Sequence, residues 1–212
     1  MNSKDNYVSY WNEAHKKYSK DKLTYDDWLD KYKDILDKTS KTILDLGCGE
    51  GSDSLYLTER GFKVLSVDYS PVALELVRKN VKGAKTALID LTEPLPFEDD
   101  SFEVIIADLS LHYFDSETTF KIMKELKRIL VKDGYLLARV NSTLDINYGA
   151  NKGELIDPNY YLVNGYKKRF FDLEDTKKYF GFLGEVKANN STLTKYSLSK
   201  EVIEIEVRNN KR

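Results

Sequence analysis

A single cysteine, Cys48, in 212 residues excludes an intrachain disulfide and leaves any zinc site to be assembled from other side chains. Nothing in the composition requires an oxidising compartment. Neither a nucleophile triad nor a metal-ligand cluster stands out, and no metal is expected. Charge of one sign is not in excess: Lys and Arg total 33 against 35 Asp and Glu, a formal net charge of −2. That balance supplies no general attraction to a phosphate backbone, so a nucleic-acid partner is not expected. Long apolar runs are missing too. No segment approaches the ~20 apolar residues that span a bilayer, and the polar start, Met1 to Asn6, lacks the apolar stretch of a signal peptide. These absences point to a cytoplasmic protein with no membrane partner.

Glycine, by contrast, is concentrated in one place. Three of the eleven glycines fall within Ile43-Leu44-Asp45-Leu46-Gly47-Cys48-Gly49-Glu50-Gly51, where an apolar run breaks into a turn ahead of a helical pattern. Glycine tolerates positive φ and has no Cβ, so the backbone can bend sharply and approach a ligand closely, with amides at the following helix start facing it. The Gly-x-Gly-x-Gly spacing departs from the Gly-x-Gly-x-x-Gly of dinucleotide binders. Asp45, two residues ahead of the first glycine, suits a cofactor bearing an ammonium group better than one bearing a pyrophosphate. A second run, Phe62 to Val67, ends at Asp68, at the distance where nucleotide-binding βαβ units place the acid for ribose hydroxyls. A third, Ala84 to Ile89, ends at Asp90. Three carboxylates at three strand ends imply one ligand across the carboxyl edge of a sheet.

From Thr42 to Val140 the chain resembles the class I S-adenosylmethionine-dependent methyltransferases, nearest to the small bacterial members of the tellurite-resistance and quinone-biosynthesis type. Asp45 to Gly51 is similar to the family's first motif, Asp68 to its ribose acid and Asp90 to its adenine-edge residue. Leu95 to Ile105 is similar to its fourth-strand approach, and Leu126 to Tyr135 to the helix and turn before its fifth strand. The resemblance implies S-adenosyl-L-methionine as cofactor, leaving as S-adenosyl-L-homocysteine. It further implies that Asp45 helps position the methionine ammonium, with water as a permitted bridge, while the backbone of Gly47, Cys48, Gly49 and Gly51 accommodates the methionine portion. Asp68 would accept from both ribose hydroxyls, with Tyr69 and Ser70 near the adenine. Asp90 would accept from the exocyclic amine, and Leu91 would offer its backbone N–H. Asp108 and Leu109, ending the fourth strand, would meet the methionine end and the reacting methyl. Displacement at a sulfonium needs mainly alignment, which can supply ~7–11 kcal/mol of a barrier and accords with the missing nucleophile.

Strands alternating with helices predict a parallel sheet with right-handed crossovers. The expected fold is α/β, Rossmann-like and doubly wound, with seven mostly parallel strands, a C-terminal antiparallel hairpin and helices on both faces. One methyltransferase domain is expected over 1–212: a helical cover at 1–38, a cofactor-binding core at 39–140, a substrate-loop insertion at 141–171, and a helix and hairpin at 172–212. In the cover, Tyr7, Tyr10, Trp11, Ala14 and Tyr18, then Tyr25, Trp28, Leu29, Tyr32 and Leu36, recur at helical spacing and predict two amphipathic helices. Tyr10, Trp11 and Tyr18 would form a cofactor lid. Gly61 is expected to end one helix, Ser70-Pro71 to open another, and Asp172 to cap a third. Lys132-Asp133-Gly134 would turn into a strand starting at Tyr135, and 184–190 would pair with 202–207. Asn141 to Phe171, about thirty residues, fits no regular element.

His112 and Tyr113, just after the fourth strand, are the candidate catalytic residues. An imidazole titrates near neutrality and can deprotonate an oxygen or nitrogen acceptor, while packing is its plainer role. His15 is read as facing solvent. Within the insertion, Tyr148 and Arg169 are candidate acceptor contacts, and Arg169 with Lys168 suits an anion. The acceptor is expected to be a small molecule, with oxygen, nitrogen, sulfur and chalcogen oxyanions all compatible. Two alternatives stand beside this reading: a noncatalytic S-adenosylmethionine-binding module acting through a partner, and a nicotinamide-dependent reductase, which the glycine spacing disfavours.

Overall fold

The computed structural model describes residues 3–18, 22–194 and 197–211, with side chains from Val8 onward; the side chains of Tyr7 and Tyr18 lie outside the described residues. The strands are Ile43–Leu46 (β1), Val64–Asp68 (β2), Lys85–Leu88 (β3), Phe102–Asp108 (β4), Leu130–Asn141 (β5), Glu154–Asp157 (β6), Tyr160–Val163 (β7), Tyr166–Arg169 (β8), Gly184–Leu193 (β9) and Lys200–Asn209 (β10). The helices are Ser3–Tyr18 (α1), Lys33–Leu36 (α2), Ser52–Glu59 (α3), Pro71–Asn80 (α4), Ser116–Ile129 (α5) and Leu173–Phe180 (α6). Seven strands form one sheet in the order β3-β2-β1-β4-β5-β10-β9. The first five are parallel, and β10 runs antiparallel to both β5 and β9. This is the Rossmann-like, doubly wound sheet that the alternating pattern predicts.

Successive side chains on a strand point to opposite faces, and the two apolar cores follow that rule. Ile105 and Ala107 of β4, with Leu136 and Ala138 of β5, pack beneath α5 and α6 against Met123, Leu126 and Phe180. Val104 and Ile106, with Leu137, pack on the other face against Trp28, Leu29, Leu36 and Leu57. The central strands are therefore apolar on both sides, as a sheet covered by helices on both faces requires. The predicted caps are present. Ser70 Oγ accepts from Ala73 N at 3.1 Å with Pro71 in the first turn, and Asp172 Oδ1 accepts from Asp175 N at 2.7 Å. Each such cap contributes about 1 kcal/mol.

Three expectations are corrected. The second cover helix is absent: 30–36 holds only a 3-10 turn and the single turn of α2, with Tyr25 in extended chain. Its side chains are drawn to separate partners, Tyr25 Oη to Glu59 and Trp28 Nε1 to Asp53, and these tertiary bonds override the helical spacing. Lys132-Asp133-Gly134 does not separate a helix from a strand but lies inside β5 as an irregularity opposite Glu103, with Asp133 at φ 62°. The insertion is not irregular: β6, β7 and β8 form a three-stranded antiparallel sheet. Asn164 at φ 52° and Gly165 at φ 83° join β7 to β8, the two positive φ values that a tight hairpin turn needs. Among the described residues no helix is long and apolar enough to cross a membrane.

Candidate active site

In the sheet, β1 lies between β2 and β4, so the chain leaves β1 to one side and returns on the other. Such a reversal opens a crevice at the carboxyl ends of the two strands, and the glycine turn sits there. Gly47, Gly49 and Gly51 have φ of 72°, 52° and 94°. A Cβ on Gly47 would overlap the side chain of Ser110, and one on Gly51 would lie 3.0 Å from Val77. Gly47 N and Cys48 N both donate to Val67 O, at 2.8 and 3.0 Å. Asp68, the last residue of β2, fixes the rest of the turn: Gly49 N donates to its Oδ2 at 2.9 Å and Ser70 N to its Oδ1 at 2.8 Å. Burial raises the Asp68 pKa, opposed by those two amides and by His15. Burial likewise pushes the Cys48 thiol up, aided by Asp45 and Asp68.

Asp45 is the third residue of β1 rather than its end, and only 2% of it is exposed. Ser54 Oγ donates to Asp45 Oδ2 at 2.5 Å and lies 2.6 Å from Ser66 Oγ. Burial pushes this carboxyl up to about 7; the Ser54 hydrogen bond opposes the shift, and Asp108 and Asp68 add to it. Asp45 thus interacts electrostatically with Asp68 and Asp108, but it lies sealed beneath α3 and not at the rim. Asp90, two residues beyond β3, folds back on its own loop, with Oδ1 accepting from Thr92 N at 2.9 Å and Thr92 Oγ1 at 2.6 Å. Leu91 is partly buried against the core. Tyr69 lies between Asp68 and the α4 cap, and the Ser70 hydroxyl is committed to that cap and to Asn12 Oδ1 at 2.7 Å.

Asp108 ends β4 and is gripped by Arg139, with Nε to Oδ1 and Nη2 to Oδ2 both 2.6 Å. Arg139 is fully buried, its Nη1 bonds Asp26 Oδ2 at 2.8 Å, and its guanidinium lies 4.6 Å from the Trp28 ring centre. Burial disfavours its charge, yet Asp108 and Asp26 hold its pKa above the ordinary value. Leu109, next in line, takes φ 53° and donates to Arg139 O at 2.9 Å. A non-glycine residue in the left-handed region marks stored backbone strain. Sequence reasoning missed Arg139, Asp26, Ser54 and Ser110. An arginine inside the apolar run Tyr135 to Val140 was a legible signal, because a buried cation demands a carboxylate.

Helix α1 crosses above the glycine turn. Asn12 reaches Ser70, and His15 Nδ1 lies 3.5 Å from Glu50 Oε1, with its Cε1 3.4 Å from where a Gly49 Cβ would stand. His15 therefore covers the turn instead of facing solvent. The Trp11 ring is 5.8 Å from His15 and meets the Tyr113 edge at 5.0 Å, while Tyr10 stacks on Tyr166 of β8 at 3.6 Å.

Residues 44–138 match the family model described as a methyltransferase domain. Over that stretch the chain is similar to methyltransferases. An uncharacterized methyltransferase of Synechocystis is 34% identical over 99 residues, 47% of this chain and 46% of that protein. The tRNA N(3)-cytidine methyltransferase of Gallus gallus is 26% identical over 164 residues, 71% of this chain and 44% of its own length. The chain spans about half the length of the first curated relatives it matches. In fold, a crystal structure of a SAM-dependent methyltransferase from Methanosarcina mazei superposes with a TM-score of 0.71 at 18% identity, covering 88% of this chain and 99% of that one.

Just past β4 the main sheet meets the small β6-β7-β8 sheet. Arg169 N donates to His112 O at 2.7 Å and Tyr160 Oη to Tyr113 O at 3.2 Å. His112 is 2% exposed, its Nδ1 has no hydrogen-bond partner, and burial, then Lys200 and Lys168, holds its pKa well below the ordinary value. That shift favours the neutral imidazole at ordinary pH. Arg169, expected to bind an acceptor, is instead fully buried: Nη1 bonds Pro158 O at 2.9 Å, and Nη2 bonds Ser116 Oγ at 3.0 Å and Asp157 Oδ2 at 3.2 Å. It pins the small sheet to α5. Tyr148 also departs from its expected role, donating from Oη to Leu198 O at 3.0 Å with Lys200 Nζ 4.7 Å from its ring centre.

Proposed function

We propose that this chain is a methyltransferase that uses S-adenosyl-L-methionine to methylate a small-molecule acceptor by direct displacement. The observation that carries the reading is the glycine turn stapled to Asp68 at the switch point, a backbone cradle that side chains would fill. The groups present fit the cofactor. Asp68 would exchange an amide hydrogen bond for the ribose hydroxyls, and Gly47, Cys48, Gly49 and Gly51 would line the methionine portion with backbone. Asp45 would act on the ammonium through its field and a bridging water. Tyr69, Ser70, Asp90 and Leu91 would surround the adenine, with Ser70 and Asp90 acting through their loops because their polar atoms are already engaged. Asp108, held by Arg139, and Leu109 would bound the methyl end.

When bound, the cofactor supplies a methyl group on a cationic sulfur, which needs no further activation as a leaving group. The remaining task is alignment and exclusion of water, to which Trp11 and His15 contribute as a roof. His112, neutral and unpaired at Nδ1, would accept the acceptor's proton, with Tyr113 positioning it. The covered site favours a small acceptor over a polymer strand. Calorimetry with S-adenosylhomocysteine and with NADH tests the cofactor: binding of NADH alone rejects the reading. Isotopically methyl-labelled cofactor incubated separately with a metabolite extract and with tRNA tests the acceptor. Label is expected in the small-molecule pool. Label only in tRNA overturns the acceptor class and leaves the methyltransferase intact, whereas cofactor binding without any transfer favours the noncatalytic module.

A further inference from the structure

Alternation along β8 puts Lys168 on the same strand face as Tyr166 and opposite Arg169. Tyr166 stacks on Tyr10 of α1, so this face of β8 looks toward the roof of the cleft. Lys168 is half-buried, and it has neither a hydrogen bond nor an ion pair among the described residues. Its neighbours differ in this respect. Arg169 is matched by Asp157, and Lys200 by Asp145, 3.0 Å away and itself fully buried. Asp145 also takes Glu201 N at 3.3 Å. Asp145 is thus taken by Lys200 and the Glu201 amide, which leaves the Lys168 charge unmatched. Burial and Lys200 lower the Lys168 pKa, with Asp145 opposing.

The same corner contains two buried polar atoms without partners, His112 Nδ1 and Asn141 Oδ1. They follow or end adjacent strands, β4 and β5, and β8 joins them: Arg169 N bonds His112 O, and Phe171 N bonds Asn141 O at 2.7 Å. Buried polar atoms in folded proteins are nearly always satisfied, and both of these can accept a hydrogen bond. Resting on the methyltransferase reading above, we infer that the acceptor is a small organic acid bearing a hydroxyl or amine, with its carboxylate on Lys168 and its proton-bearing atom toward His112 and Asn141. The assignment moves anion recognition from Arg169, which is consumed in holding the small sheet, to the lysine beside it.

The test uses the full chain saturated with S-adenosylhomocysteine, whose binding is measured first. 4-Hydroxybenzoate, mandelate and N-phenylglycine, with the primary amide of each, are then titrated and read by saturation-transfer NMR on wild type, Lys168→Gln, Lys168→Arg and the outward-facing Lys167→Gln. At least one acid is expected to bind while its amide does not. Lys168→Gln should weaken that acid about tenfold or more, a loss of at least ~1.4 kcal/mol. Lys168→Arg should keep most of the affinity, and Lys167→Gln should match wild type. S-adenosylhomocysteine affinity should be equal in all four. Amides binding as well as acids, acids indifferent to Lys168→Gln, or no acid binding to the saturated protein each overturns the anion assignment. Failure of wild type to take up S-adenosylhomocysteine overturns the underlying reading instead.

Discussion

The proposed cofactor edge and the proposed acceptor corner of this molecule are built from different materials. At the cofactor edge the groups that would meet a ligand are mostly backbone, bent by three glycines at positive φ and fixed by the Asp68 carboxylate. At the acceptor corner they are side chains, His112, Asn141 and Lys168, brought together by a hairpin that Arg169 holds down. Backbone geometry suits a ligand shared by a whole family, because it tolerates change elsewhere in the sequence. Side chains on a hairpin suit a ligand that differs between members, because one substitution resets the chemistry.

Removing Arg139 should have the largest effect, since that residue ties β5 to the end of β4 and to the chain ahead of β1. Arg139→Met leaves the partly buried Asp108 and Asp26 without their cation, and stability should fall by about 3 kcal/mol, read from denaturant unfolding. A smaller loss would mean that water reaches the pair. Asp68→Ala should act on the cofactor edge alone, weakening S-adenosylhomocysteine at least tenfold, about 1.4 kcal/mol, in calorimetry. Unchanged affinity would remove Asp68 from the ribose role.

Gly165→Ala probes the other region. It forces a Cβ into the left-handed conformation at a cost of roughly 1–2 kcal/mol, and should lower acceptor turnover while leaving cofactor affinity intact. Equal losses on both sides would dissolve the distinction drawn above. The smallest expected effect is a proton. Asp45 is raised from 3.8 to about 7, so it is protonated in the free fold where an unfolded chain would be ionised, and its contribution to stability falls as pH rises across that window. An ammonium ligand favours the ionised form. Binding should therefore release up to one proton below pH ~7, with affinity rising with pH and levelling off above it. Asp45→Asn should flatten that slope in calorimetry.

The parallel half was legible because its signals are local: the glycine turn, the acids after β-like runs and the Ser70 cap all act within a few residues, as does the Asp172 cap beyond it. The misreadings came where partners are distant in sequence. Arg169 resembles an anion binder until Asp157 and Ser116 close around it, and Asp45 resembles a rim acid until α3 seals it. Trp28 and Tyr25 keep helical spacing but answer to Asp53 and Glu59. The small sheet was a different kind of miss. Asn164-Gly165 between Tyr160-Tyr161-Leu162-Val163 and Tyr166 is a strong hairpin signal in its own right, obscured by the weight given to the length of the insertion. Lys168 and Arg169 stand side by side in the sequence as equal anion candidates, and only the burial of Arg169 separates them.

The bridge from Asp26 through Arg139 to Asp108 makes the opening stretch of the chain structural. A shortened protein beginning at residue 39 would retain the glycine turn and every parallel strand, yet its central arginine would have one anion where the intact fold provides two. Trimming the apparent cover would disturb the floor of the proposed methyl site as well as the roof above it.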